Sequence, residues 1–262
     1  MTPYAAIFRA RYLVLLQYRA AAVAGLGTQL AFGFIRVMIL QGFYASGQPS
    51  PMPLDQAISY VWLGQAFLML LPWSTDSELR DMVRTGNVAY ELARPVDLYG
   101  VWFWRGVALR VAPTTLRALP LIVIAGAFLG LRPPASVAAG VEFLAAMIAA
   151  VLLAAALTTL STIMQMWTVA GEGASRLLPS LSYFFAGMAV PLPLFPPWAQ
   201  RIFAVLPFRG LIDAPFRLYV GNIGPAEAVW VIGHQVVWIA ALIGLGRYLM
   251  ARGLQRLNVE GG

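Results

Sequence analysis

Cysteine and lysine are both missing from this sequence, and acids are few: 11 Asp and Glu stand against 18 basic residues, every one an arginine. Without cysteine there is no disulfide, no thiolate metal site and no Cys nucleophile, and the redox compartment is left open. Without lysine these 262 residues contain no G-x-x-x-x-G-K-[ST] phosphate loop, so ATP hydrolysis tied to this chain must occur on another. Charge of either sign is scarce. Only 11% of residues are charged and 60% are hydrophobic, with a mean hydropathy of +0.73; soluble domains run nearer half apolar and a quarter charged. Several runs approach the ~20 apolar residues needed to cross ~30 Å of hydrocarbon. These numbers indicate an all-α integral membrane protein. No polar stretch is left for a separate soluble domain, so residues 1–262 read as one transmembrane domain. The net charge of +7 does not indicate nucleic acid, because arginines set between apolar spans follow the positive-inside rule. The N-terminus lacks the small-residue cleavage site of a signal peptide.

Six spans are expected, at roughly 20–44, 56–73, 111–131, 137–166, 177–194 and 226–250, with Trp102 and Trp104 in the interface before the third. Residues 1–19 fit either an interfacial helix with aromatics inward or a plain arginine-flanked start to span 1. Six crossings put both termini on one side. With termini inside, twelve arginines face the cytoplasm (9, 11, 19, 80, 84, 94, 105, 110, 176, 247, 252, 256) and four lie outside (132, 201, 209, 217). Arg36 and Arg117 are ambiguous. The bias supports an N-in, C-in arrangement. The external arginines make sense if the proline-broken segment 195–225 forms short re-entrant helices in the outer leaflet, its arginines snorkelling out.

One internal loop concentrates the charge: eight of the 23 residues from Thr75 to Asp97 are charged. Thr75-Asp76-Ser77-Glu78 fits a capping box, and Asp76 and Glu78 sit where a helix dipole favours negative charge. Gly86 offers a left-handed stop. A second turn over 88–93 must end before Pro95, since the residue before proline avoids helical geometry. A short helix tied to spans 2 and 3 is suited to carry force if a partner moves Met82 or Val83. A merely solvated linker is the plainer alternative.

The polar residues inside the spans are few. Arg36 is costly if it faces lipid; it suits the substrate path, a pair with Glu142 of span 4, or snorkelling to headgroups. Gly25 and Gln29 share a face that lets helices approach closely. Pro191 breaks span 5 at membrane depth. Glu172 and Arg176 form an i,i+4 pair, and a lone His234 reads as a packed polar group. No H-E-x-x-H, G-x-S-x-G or paired-aspartate motif supports an intramembrane enzyme, and neither an internal repeat nor mid-span acids support a secondary, ion-driven transporter. These remain the alternatives.

Several segments together resemble one family. "YRAA" leads into span 1, the charged loop reads "RTGNVAYELARPVD", the stretch before span 6 reads "PLPLFPPWAQRIFAVLPFRGLIDAPFRLYVG", and the end reads "GLQRLNVEGG". In order and spacing they resemble the ABC-2 type permease subunits, in particular the compact six-span group related to daunorubicin-type and uncharacterised exporters. The resemblance implies a permease without catalysis or cofactor of its own, in a bacterial inner membrane. It would pair with a second permease, identical or different, and with two ATPase subunits that bind ATP and Mg. It implies a coupling helix over Asp76, Glu78, Arg80, Asp81, Met82, Val83 and Arg84, completed by Gly86, Glu91, Arg94 and Pro95. It also implies an outer gate over 195–225. Arg36, Gln29, Glu142, Pro191, Pro207 and Phe208 are the expected path or gate residues.

Overall fold

The computed structural model describes residues 2–47, 49–85, 87–88, 91, 95–167 and 172–260, with the backbone alone at 172–176 and 256–260. Every regular element among them is helical: α1 (Pro3–Leu15), α2 (Arg19–Ala45), α3 (Leu54–Ala66), α4 (Ser77–Arg84), α5 (Leu98–Phe128), α6 (Val137–Met164), α7 (Glu172–Phe185), α8 (Pro197–Val205), α9 (Asp213–Tyr219) and α10 (Pro225–Glu260). Three short 3₁₀ turns, at 68–70, 192–194 and 207–210, join them.

Among the described residues, four helices are long and apolar enough to cross a membrane: α2, α5, α6 and residues 225–255 of α10. The second and fifth expected spans are shorter than the sequence suggested. Helix α3 has 13 residues, about 20 Å of rise. It gives way at Phe67 to a 3₁₀ turn ahead of Pro72. Helix α7 stops at Phe185 rather than running to Pro191, because Gly187 turns left-handed at φ +81. The Tyr60 hydroxyl lies 2.5 Å from where a Cβ on Gly187 would stand, so the crossing point also needs glycine for space. Pro191 is buried and begins the 3₁₀ turn.

The expected third span is part of one continuous 31-residue helix that begins at Leu98. Its N-cap Asp97 accepts from the Gly100 N–H at 3.0 Å and pairs with Arg247 of α10 at 3.0 Å. Trp102 is 1% exposed, in the main core with Trp62, Tyr60 and Phe216. Alanine-rich α6 sits centrally, packed by α5, α9 and α10. Ala146, Ala150, Ala154, Ala155 and Ala156 are buried there, and small side chains let neighbours approach closely. Gln235 of α10 donates to the carbonyls of Ala146 (2.9 Å) and Gly210 (2.7 Å). Helix α3 is enclosed by α2, α5 and α9.

Residues 3–15 form a separate helix rather than an extension of α2. Tyr4, Ile7, Phe8, Arg11, Tyr12 and Leu15 recur at helical spacing on its less exposed face. Helix α1 packs on α5: Tyr4 lies over Gly100, Phe8 meets Trp104 edge-on, and Tyr12 shares a hydrogen bond with Thr115.

Candidate functional site

Helix α4 is eight residues long, and its N-cap is Asp76 rather than the expected Thr75. The Asp76 carboxylate accepts from the Glu78 N–H at 3.1 Å; Thr75 instead accepts from Gln165, the C-cap of α6, at 3.4 Å. An Asp side chain reaches the second helical N–H as well as a Thr would, and here it also meets two cations. Arg11 of α1 bonds Asp76 at 2.9 Å and Glu78 at 2.5 Å. Arg105 of α5 bonds Asp76 at 3.0 Å and Glu78 at 2.5 Å. Two carboxylates at one helix start thus bridge two arginines from separate helices. Asp76 is buried and Glu78 more than half exposed. The Arg105 hydrogen bond, with Arg11 beside it, holds the Glu78 carboxyl below its ordinary value.

A further arginine secures the approach. Arg110, buried in α5, donates to the Leu71 carbonyl at 2.6 Å and to the Ser74 carbonyl. These acceptors belong to the irregular chain between the 3₁₀ turn and α4, whose buried carbonyls need donors. The connection from α3 to α4 is therefore fastened at 71, 74, 76 and 78.

The two faces of α4 differ. Leu79 is buried, and Met82 and Val83 pack half-buried against the core. Arg80, Asp81 and Arg84 are exposed. The fully exposed face of α4 is thus the charged one, while Met82 and Val83 are half-buried. Beyond it Pro95 is exposed and Glu91 half-buried, while Gly86 and Arg94 lie outside the described residues, as does most of the expected turn over 88–93. The Glu172 and Arg176 side chains also lie outside them.

The expected path residues fall into two places. Arg36 does not pair with Glu142. It donates to the Met188 carbonyl at 2.7 Å and to the Tyr183 hydroxyl, whose ring lies 5.5 Å from the guanidinium carbon. Glu142 sits half-exposed in the first turns of α6. Gln29, on α2, is 2% exposed. A cavity of about 410 Å³ is lined by Gln29, Arg36, Gln65, Trp73, Arg117 and Tyr183, among others. Pro207 is buried at the 3₁₀ turn, and Phe208 stacks on Phe185 at 6.0 Å, beside a cluster of Phe184, Phe195 and Phe203. The segment 195–225 does form short helices, as expected. Asp213 is buried there: the Tyr60 hydroxyl and the Leu192 N–H each donate to it at 3.3 Å, tying α3 to the chain after α7. His234 is a packed polar group, accepting from the Trp238 indole at 3.1 Å.

Sequence reasoning missed the roles of Arg11, Arg105 and Arg110. No local signal marked them, because Arg11 lies 65 residues before Asp76 and Arg105 lies 29 after it, and pairing depends on how α1 and α5 fold back on α4. Arg117 was read only as ambiguous. Its signal was Gly25: a Cβ there would stand 2.4 Å from the Arg117 guanidinium carbon.

The sequence profile of the ABC-2 family transporter proteins matches residues 54–261, from the start of α3 to the tail. No curated protein and no solved structure matches the chain. The match takes in the fastened α4, the long apolar helices and the proline-broken segment before α10, and so the chain belongs to the ABC-2 family of transporter proteins, as a multi-pass membrane transport subunit that is not itself the ATPase.

Proposed function

We propose that this chain is the permease subunit of an ATP-driven exporter, and that α4 is the element through which a separate ATPase moves it. The observation that carries the reading is the fastening of α4. A helix with an exposed face of Arg80, Asp81 and Arg84 is tied at its N-terminus to α1 and α5 by Asp76 and Glu78. A push on that face displaces three elements together. In a loosely attached loop the same push would be absorbed by backbone rotation.

In this reading the chain crosses the bacterial inner membrane six times, with α3 and α7 as short crossings completed by irregular chain. That chain is tolerated where protein encloses it. Both termini and α4 lie in the cytoplasm. Segment 195–225 borders the outer gate, with Pro191, Pro207 and Phe208 at its hinges. Two ATPase subunits bind ATP and Mg, and a second permease, the same chain or a different one, completes the pathway. Nucleotide shifts the permease only by as much as it binds the two conformations unequally.

Co-expression with an ABC-type ATPase subunit tests the reading. The ATPase should co-purify and drive transport. Asp81→Arg with Arg84→Glu should cut its recovery at least about tenfold, while the permease unfolds within ~0.5 kcal/mol of wild type, as exposed substitutions do. Cargo moved by the isolated chain under a proton gradient would overturn the reading in favour of ion-driven transport.

A further inference from the structure

Cationic side chains inside a membrane protein pair with acids or with backbone carbonyls. Arg36 and Arg117 have carbonyls but no acid among the described residues. Among the described residues Arg36 contacts the Met188 carbonyl and the Tyr183 hydroxyl. Arg117 contacts the Ala21 carbonyl and the Met69 sulfur, each at 3.3 Å. With its amide in the orientation that satisfies both ends, Gln65 accepts from Arg36 at 3.3 Å and donates to the Gln29 carbonyl at 3.2 Å. All these partners are neutral. Two guanidinium charges thus border the 410 Å³ cavity with no carboxylate among the residues lining it.

Gln29 is the second observation. Its side chain lines the same cavity, is almost wholly buried, and neither its amide nitrogen nor its oxygen has a partner among the described residues. Buried polar groups are nearly always satisfied, and an exception calls for a missing ligand or water. Gly25, Gln29, Phe32 and Arg36 recur at helical spacing along α2, and Gly25 leaves the space in which the Arg117 guanidinium lies. Gly25 to Arg36 spans eleven residues, about 16 Å of helix, with Gln29 between the two cations.

Arg36 also borders a second, apolar cavity of about 100 Å³, lined by Ile39, Leu40, Val61, Met188 and Val190 among others. One arginine therefore divides a polar, cationic compartment from an oily one. Phe32, Ile35 and Ile39 are all more than half exposed on the open flank of α2.

We infer that the paired cavities on α2 bind an anionic amphiphile, with its phosphate or carboxylate headgroup held between Arg117, Gln29 and Arg36, and its hydrocarbon laid past Arg36 against Ile39, Leu40 and Val61. This rests on the permease reading for its meaning, since the bound molecule would be the cargo. It is tested without the ATPase, so its failure and that of ATPase coupling are separate results.

The test titrates dodecyl phosphate into the purified full chain in neutral maltoside detergent, by calorimetry. Inorganic phosphate and a neutral dodecyl alcohol serve as comparisons. Dodecyl phosphate should bind at least about tenfold tighter than the alcohol, and inorganic phosphate at equal concentration should not displace it. Arg117→Gln and Gln29→Leu should each weaken binding about tenfold. Gln29→Leu should leave the unfolding temperature unchanged or raise it, because it removes an unsatisfied buried amide. Arg36→Gln is the less clean variant, as it also releases the Met188 carbonyl. Unchanged dodecyl phosphate affinity in Arg117→Gln and Gln29→Leu, or equal binding of the alcohol, would overturn the site. Displacement by inorganic phosphate would overturn its assignment to an amphiphile.

Discussion

Asp76 caps a helix and faces two guanidinium groups, so its substitutions separate those roles. Asp76→Asn keeps a capping oxygen but leaves Arg11 and Arg105 with Glu78 alone; loss of one partner from a buried ion cluster costs about 3 kcal/mol. Asp76→Ala removes the cap as well, adding about 1 kcal/mol. Unfolding in detergent should rank the two in that order. Glu78 sets a pH dependence. Its folded-state value lies below the ordinary 4.5, so the unfolded chain binds the proton more tightly and stability rises with pH. That contribution is full above 4.5 and vanishes as pH falls through the lowered folded value. Because Glu78 is more than half exposed, solvent screening keeps it below ~1 kcal/mol. Glu78→Gln should lose stability less steeply than wild type between pH 5 and 3, measured as unfolding temperature. The charge in this loop was legible in the sequence. Its division was not: Asp76 and Glu78 pair with cations supplied from 65 or more residues away on α1 and 27 or more on α5, while Asp81 stays exposed.

The long helices α2, α6 and α10 follow the apolar runs closely, because length and hydrophobicity alone decide them. The short α3 and α7 could not be read that way. "YVWLGQAFLMLLPW" is as apolar as a span, but the hydrophobic residues of α3 are buried in protein, and protein burial and lipid exposure leave the same mark on composition. Likewise the end of α7 depends on Gly187 meeting Tyr60, a contact across 127 residues. Helix α2 offers a test of packing at this scale. A Cβ on Gly33 would stand 2.3 Å from the Trp62 ring, a rigid side chain 1% exposed. Gly33→Ala should therefore destabilise by about 1–3 kcal/mol through overpacking, despite alanine's better helix propensity. Gly27, where nothing lies within 4 Å, should tolerate alanine or gain stability.

The cysteine-free chain makes orientation directly measurable, because each introduced thiol is the only one. Ser77→Cys at the start of α4 and Ser46→Cys after α2 are both exposed, and the six-crossing arrangement puts them on opposite sides. A membrane-impermeant maleimide added to intact cells should label Ser46→Cys and spare Ser77→Cys, with the pattern reversed in inverted vesicles. Labelling of both from one side would remove the six-crossing reading and with it the cytoplasmic α4.

The enclosure of α3 has a mechanical corollary. Helix α5, at 31 residues, rises about 46 Å, well beyond a ~30 Å hydrocarbon layer. Helices α2 and α10 are exposed along much of their length, and where they face lipid they tilt when that layer thickens or thins. Helix α3 is wrapped in protein and only 13 residues long, so it does not feel acyl-chain length directly. Reconstitution into short-chain and long-chain bilayers should therefore strain the outer helices while the link from α3 through Arg110 to α4 keeps its dimensions, insulating α4 from changes in bilayer thickness.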